Sequence, residues 1–178
     1  MKILITHLII LFILVACKGA VTYIIPQGEH TSGTHAALFS KRNMKFSATF
    51  DNSAIYTSAD PTNQLDINKL YGFSDCNSEH QTNSARFGWR WNQNQLQIHA
   101  YVYTDSVRSE KFITAISLNQ TYQYEILTSG NEYQFSINGL SVKMPRGCDN
   151  DSDIRYKLFP YFGGDEVAPH KISITILE

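Results

Sequence analysis

The chain has 178 residues, with 15 Lys and Arg against 16 Asp and Glu, and 43% of it is hydrophobic. That length suits one domain with a substantial core. A formal net charge of −1 gives neither a basic field nor an acidic tail, so nucleic acid is not an expected partner.

In chain order, the first element is an apolar run from Ile3 to Val15, preceded by Met1-Lys2 and interrupted only by Thr6 and His7. A transmembrane helix needs roughly 20 residues, and this run falls short. A positive start, a short apolar stretch and small residues read instead as a secretory signal. The run closes on Leu14-Val15-Ala16-Cys17, which resembles the lipobox of bacterial lipoproteins. The resemblance implies cleavage before Cys17, diacylglycerol on its sulfur and an acylated N-terminus. More than one acyl chain makes such anchorage to a membrane stable. No Asp follows the cysteine, which among enteric lipoproteins points to the outer membrane. The expected organisation is a signal peptide over residues 1–16, a lipidated tether over 17–22 and a single domain over 23–178.

Behind the tether, period-two alternation of apolar and polar residues recurs without a long helical pattern. It predicts strands over 44–50, 87–91, 96–102, 112–116, 122–126, 133–137, 140–144 and 172–176. Gly28 to Thr34 is polar and reads as a loop. Turn residues punctuate the strands at Asn92-Gln93-Asn94, Ser129-Gly130-Asn131, Asn138-Gly139, Pro160, Gly163-Gly164 and Pro169. Asn138-Gly139 fits a two-residue type I′ hairpin, because both residues tolerate positive φ. Many short strands at close spacing predict an all-β fold, an antiparallel β-sandwich or barrel.

With Cys17 lipidated, Cys76 and Cys148 remain as an even pair in polar, loop-like sequence. Outside the cytoplasm such a pair is expected to form a disulfide, the alternative being two free surface thiols.

The hairpin Tyr133 to Val142 around Asn138-Gly139, and the closing stretch from Tyr156 to Ile176, are similar to the late strands of concanavalin A-like, laminin-G-like sandwiches. Together with Ser84-Ala85-Arg86-Phe87-Gly88-Trp89-Arg90, they resemble uncharacterised lipoproteins of the Bacteroidota. The resemblance implies a jelly roll of two curved sheets, often with glycan on the concave face.

One predicted hairpin collects polar side chains of an unusual mix. If Asn92 pairs with Gln95, then Phe87, Trp89, Trp91, Leu96, Ile98, Ala100 and Val102 share the core face. The opposite face then holds Arg86, Gly88, Arg90, Gln97, His99, Tyr101 and Tyr103. A one-residue slip would exchange the two faces, so this register is strongly specified. Guanidinium groups bind carboxylate or sulfate bidentately. Phenol rings stack on a sugar's apolar face and hydrogen-bond at the tip. Gly88 is expected to leave space opposite His99. Arg86, Arg90, Gln97, His99, Tyr101 and Tyr103 are therefore the candidate saccharide platform. The plainer reading is a solvated sheet face, and a loop over 26–43 or 74–83 that covered these residues would weaken the platform reading.

Gln97-Ile98-His99 also matches a strand motif of jelly-roll alginate lyases, in which His and Tyr carry the elimination. Arg108-Ser109-Glu110 looks like part of those enzymes' arginine motif, but here it follows the tripeptide instead of preceding it. Tyr161-Phe162-Gly163-Gly164 does not reproduce their closing motif. No run of closely spaced carboxylates supports a glycoside hydrolase. Asp149, Asp151 and Asp153 alternate as calcium ligands can. Ile154 and Pro160 stand where an EF-hand-like loop needs Gly and Glu, so no cofactor is expected. Asp165-Glu166 is a second, weaker oxygen cluster. The leading expectation is non-enzymatic binding of a polysaccharide, anionic ones included. The rivals are a lyase acting on a polyuronate and a structural or protein-binding envelope lipoprotein.

Overall fold

The computed structural model describes residues 19–149 and 154–178. Among these residues twelve strands follow one another, joined by tight hairpin turns and by longer loops: β1 Val21–Ile25, β2 Leu38–Phe39, β3 Asn43–Phe50, β4 Asn68–Ser74, β5 Ser84–Asn92, β6 Gln95–Thr104, β7 Val107–Ile116, β8 Thr121–Ser129, β9 Glu132–Ile137, β10 Leu140–Pro145, β11 Arg155–Leu158 and β12 Ile172–Leu177. They form two six-stranded sheets, ordered β1-β12-β3-β8-β9-β10 and β2-β11-β4-β5-β6-β7. Every pairing within them is antiparallel. Two short 3-10 turns, Asn52–Ala54 and Pro61–Leu65, are the helical elements among the described residues.

The two sheets share one core. Phe46 and Phe50 from one sheet pack against Phe87 and Trp89 from the other, with ring centroids 5.9 and 5.2 Å apart. The β5–β6 register is the expected one: Asn92 opposes Gln95, Arg90 opposes Gln97, Gly88 opposes His99 and Arg86 opposes Tyr101. Asn138 and Gly139 both adopt positive φ, and Leu140 pairs back to Ile137, as a two-residue hairpin requires.

Four strands lie outside the set that alternation predicts, β1, β2, β4 and β11, the last of them falling at the start of the stretch that resembles the late strands of the concanavalin A-like sandwiches. β4 places Leu70 and Tyr71, two adjacent buried residues, at a register shift between Lys69 and Tyr71. A bulge breaks the period of two, so alternation could not reveal it. β1 begins at Val21, inside the stretch read as tether. Cys17 and the signal segment lie outside the described residues.

Cys76 and Cys148 form a disulfide with Cα atoms 5.8 Å apart. Beside it, the buried Asp75 carboxylate accepts hydrogen bonds from Arg146 Nε, Arg155 Nε and Tyr133 Oη at 2.6, 2.6 and 2.8 Å. These three donors hold it well below the ordinary carboxylate range, against the upward pull of its own burial.

Candidate functional site

The outer face of β4, β5 and β6 carries a cleft of about 250 Å3, lined by Lys69, His80, Arg86, Tyr101, Tyr103 and Tyr161 among others. Lys69 reaches this face beside Gly88, its register partner. Its ammonium donates to the Gly163 carbonyl at 2.7 Å and stands 5.3 and 5.5 Å from the ring centroids of Tyr101 and Tyr161. Burial, then the neighbouring Arg86 charge, pushes the Lys69 pKa down to about 8.

Arg86 crosses the face towards the chain after β11 and donates to the Phe159 carbonyl at 2.6 Å. It passes over Gly72, where a Cβ would lie 2.6 Å from Arg86 Cα and 2.0 Å from the Ala85 carbonyl oxygen. The glycine is what leaves room for the β5 backbone and the first carbons of the Arg86 side chain at this close approach. Arg86 is 8% exposed, and its Nε has no hydrogen-bond partner. Burial pulls its pKa down to about 10, so it stays charged at neutral pH. Neither Lys69 nor Arg86 is ion-paired to a carboxylate among the described residues. Two cations ringed by phenols, without a paired acid, make a site for an anionic group on a molecule with apolar faces.

Of the six residues expected to form the platform, Arg86, Tyr101 and Tyr103 line this cleft. Tyr101 and Tyr103 sit edge to face at 5.9 Å, and burial followed by their mutual hydrogen bond raises the Tyr101 pKa. Arg90 and Gln97 are occupied elsewhere. Arg90 Nε donates to Gln97 Oε1 at 2.8 Å, and its Nη1 donates to the Leu65 carbonyl at 2.9 Å.

His99 corrects the expectation most sharply. It is 3% exposed, neither ring nitrogen has a partner, and its ring abuts Phe112. The space expected over Gly88 is filled, since a Cβ there would stand 2.3 Å from Ile67 Cγ2. Neither anticipated loop covers this half of the face: the cover is the segment leading into β4. That segment is pinned by Glu166, whose carboxylate accepts from the backbone of Ala59 and Asp60 and from Asn63 Nδ2 at 2.9, 2.7 and 3.0 Å. Burial, then the Arg90 charge, lowers the His99 pKa to about 4, so the imidazole is neutral at physiological pH.

Lys69, His80 and Tyr161 were not among the sequence candidates. Lys69 sits at the bulge, and Tyr161 arrives through two isolated bridges, to Lys69 and Thr31. Neither placement leaves a periodic signal.

Residues 150–153 lie outside the described residues, and the Glu166 oxygens are already taken by N–H donors. Among the described residues, Asp75, Cys76 and Cys148 approach one another closely enough for a metal. The two sulfurs are bonded to each other and the carboxylate to two guanidiniums, so this donor set does not fit one.

No family model matches the chain, and no curated protein matches it in sequence. Solved structures do match it in fold. The alginate lyase AlyC3 superposes with a TM-score of 0.59 at 8% identity, over 88% of this chain and 72% of that one. SCLam, a non-specific endo-β-1,3(4)-glucanase of family GH16, gives 0.58 at 8% identity over 89% and 69%. A GH16 protein of the Bacteroides ovatus mixed-linkage glucan locus gives 0.51 at 10% over 88% and 78%. These neighbours are carbohydrate-active jelly-roll proteins, and this chain has their concanavalin A-like jelly-roll fold.

Proposed function

We propose that this protein is a lipid-anchored envelope protein of the outer membrane that binds an acidic glycan, without turning it over, in the cleft around Lys69 and Arg86. The observation that carries the reading is the pair of cations that form no ion pair among the described residues, walled by Tyr101, Tyr103 and Tyr161. A sugar carboxylate or sulfate would supply the missing anion, and the rings would supply stacking surface. The carbohydrate-active neighbours support a glycan as the ligand class, by fold analogy alone. The anchor rests on the Leu14-Val15-Ala16-Cys17 pattern.

Calorimetry with a glucuronate-containing oligosaccharide tests the reading. Binding should weaken about tenfold or more in Lys69→Ala and in Tyr161→Ala, the scale of one good polar or stacking contact. Unchanged affinity in both variants would overturn it.

The polyuronate lyase is the second reading. Lys69 and the phenols could serve as base and acid, but the imidazole of Gln97-Ile98-His99 is sealed from any substrate. Ultraviolet absorbance of an unsaturated uronate product would establish turnover and replace binding with lyase activity.

A further inference from the structure

The cleft does not end at Arg86. A second depression of about 290 Å3 shares His80, Arg86 and Tyr161 with it and continues over β11 to Tyr156, Pro160 and His35. The two form one groove across the sheet, and its halves differ in chemistry. Lys69 lines the first half alone, and Arg86 stands where the two halves meet. The second adds Lys157 alone, and that ammonium is already paired with Glu178.

The remaining walls of the second half are rings and small polar groups. The His35 and Phe159 rings lie 4.8 Å apart. Tyr156 accepts from the His80 backbone N–H at 2.9 Å and donates to Glu79 Oε2 at 3.0 Å. Glu79 therefore places a negative charge behind the second half, where a further carboxylate on the ligand would be repelled. A cation at one end, Lys69, and a carboxylate behind the other, Glu79, is how a site rejects a near-identical competitor.

Resting on the binding reading above, we infer that the groove takes an internal stretch of a polysaccharide in which an acidic sugar adjoins a neutral one. The acidic unit lies over Lys69 and Arg86, and the neutral unit lies over Tyr156 and His35. The ligand class is thus a mixed acidic–neutral polymer and not a homopolyuronate.

Titration calorimetry on the full chain with three probes tests this: glucuronate, a tetrasaccharide alternating glucuronate with N-acetylhexosamine, and a tetrasaccharide of mannuronate alone. The alternating tetrasaccharide should bind about tenfold or more tighter than the other two. His35→Ala, at an exposed position, should remove most of that gain and leave glucuronate binding unchanged. Tyr156→Phe, which keeps the ring and releases Glu79, should weaken the alternating probe less than His35→Ala does. Equal affinity for the two tetrasaccharides would overturn the mixed-polymer inference while leaving the acidic-glycan reading standing. So would a His35→Ala loss as large for glucuronate as for the tetrasaccharide. Failure of all three probes to bind would overturn both.

Discussion

Arg155 and Asp75 meet at 2.6 Å with both side chains sealed from solvent. Asp75 directly follows β4 of one sheet, whereas Tyr133, which also donates to it, belongs to β9 in the other. Arg146, just past β10, donates as well. One carboxylate thus bridges the two layers at the end of the sandwich where the disulfide sits.

Asp75→Asn should therefore be costly. It leaves two buried guanidiniums facing a neutral amide, and breaking a buried ion pair costs about 3–5 kcal/mol. Denaturant unfolding should show a midpoint well below that of the parent. A loss under about 1 kcal/mol would mean that water reaches the network.

Cys76→Ser with Cys148→Ser opens a loop whose ends are 72 residues apart. The chain-entropy model assigns such a closure roughly 4 kcal/mol. Unfolding of the double variant, compared with the reduced parent, checks this. The two should coincide, both falling below the oxidised protein.

His99→Phe should leave glycan affinity unchanged, although His99 was a platform candidate. It removes two buried nitrogens without partners, so stability should hold or rise by about 1 kcal/mol. The parent has its own signature at low pH. The folded imidazole has a pKa of about 4 against an ordinary 6.5, so the unfolded chain takes up the proton first as pH falls. The stability this supplies is complete above the unfolded pKa and is lost as pH drops towards 4. A midpoint measured between pH 7 and pH 4 should fall less steeply in His99→Phe than in the parent, by about one group's worth of proton uptake.

Lys69 works in the opposite pH range. Its folded pKa of about 8 lies below the ordinary 10.5. The ammonium that would hold an anion is thus lost as pH rises through 8, while the unfolded chain is still protonated. Affinity for an acidic oligosaccharide should hold from about pH 6 to 7.5 and decline above 8. Fold stability gains from the same group between 8 and 10.5. A Lys69→Arg variant should extend binding to higher pH, because guanidinium remains charged there.

Alternation on β5 and β6 was legible because one face is pure core: Phe87, Trp89, Leu96 and Ile98 admit a single register. The hairpin turn was legible because Asn138-Gly139 is a local chemical signal. Half of the site was visible for the same reason, since the strands carrying Arg86, Tyr101 and Tyr103 could be aligned. Its other half depends on contacts distant in sequence. Lys69 meets Tyr161 across a bulge and an isolated bridge, and Ile67 closes over Gly88 from a segment with no periodicity. A face pattern says which way a side chain points but not which loop lands on it.

The start of β1 at Val21 fixes how far the domain could travel. A lipid on Cys17 would leave three residues, Lys18 to Ala20, before the first strand. At roughly 3.5 Å per residue, full extension from the anchored cysteine to Val21 reaches only about 14 Å. The sandwich would ride against the lipid headgroups instead of sampling a volume above them. Its ligand would have to be delivered to the membrane surface, as a polymer lying along it or rooted in it.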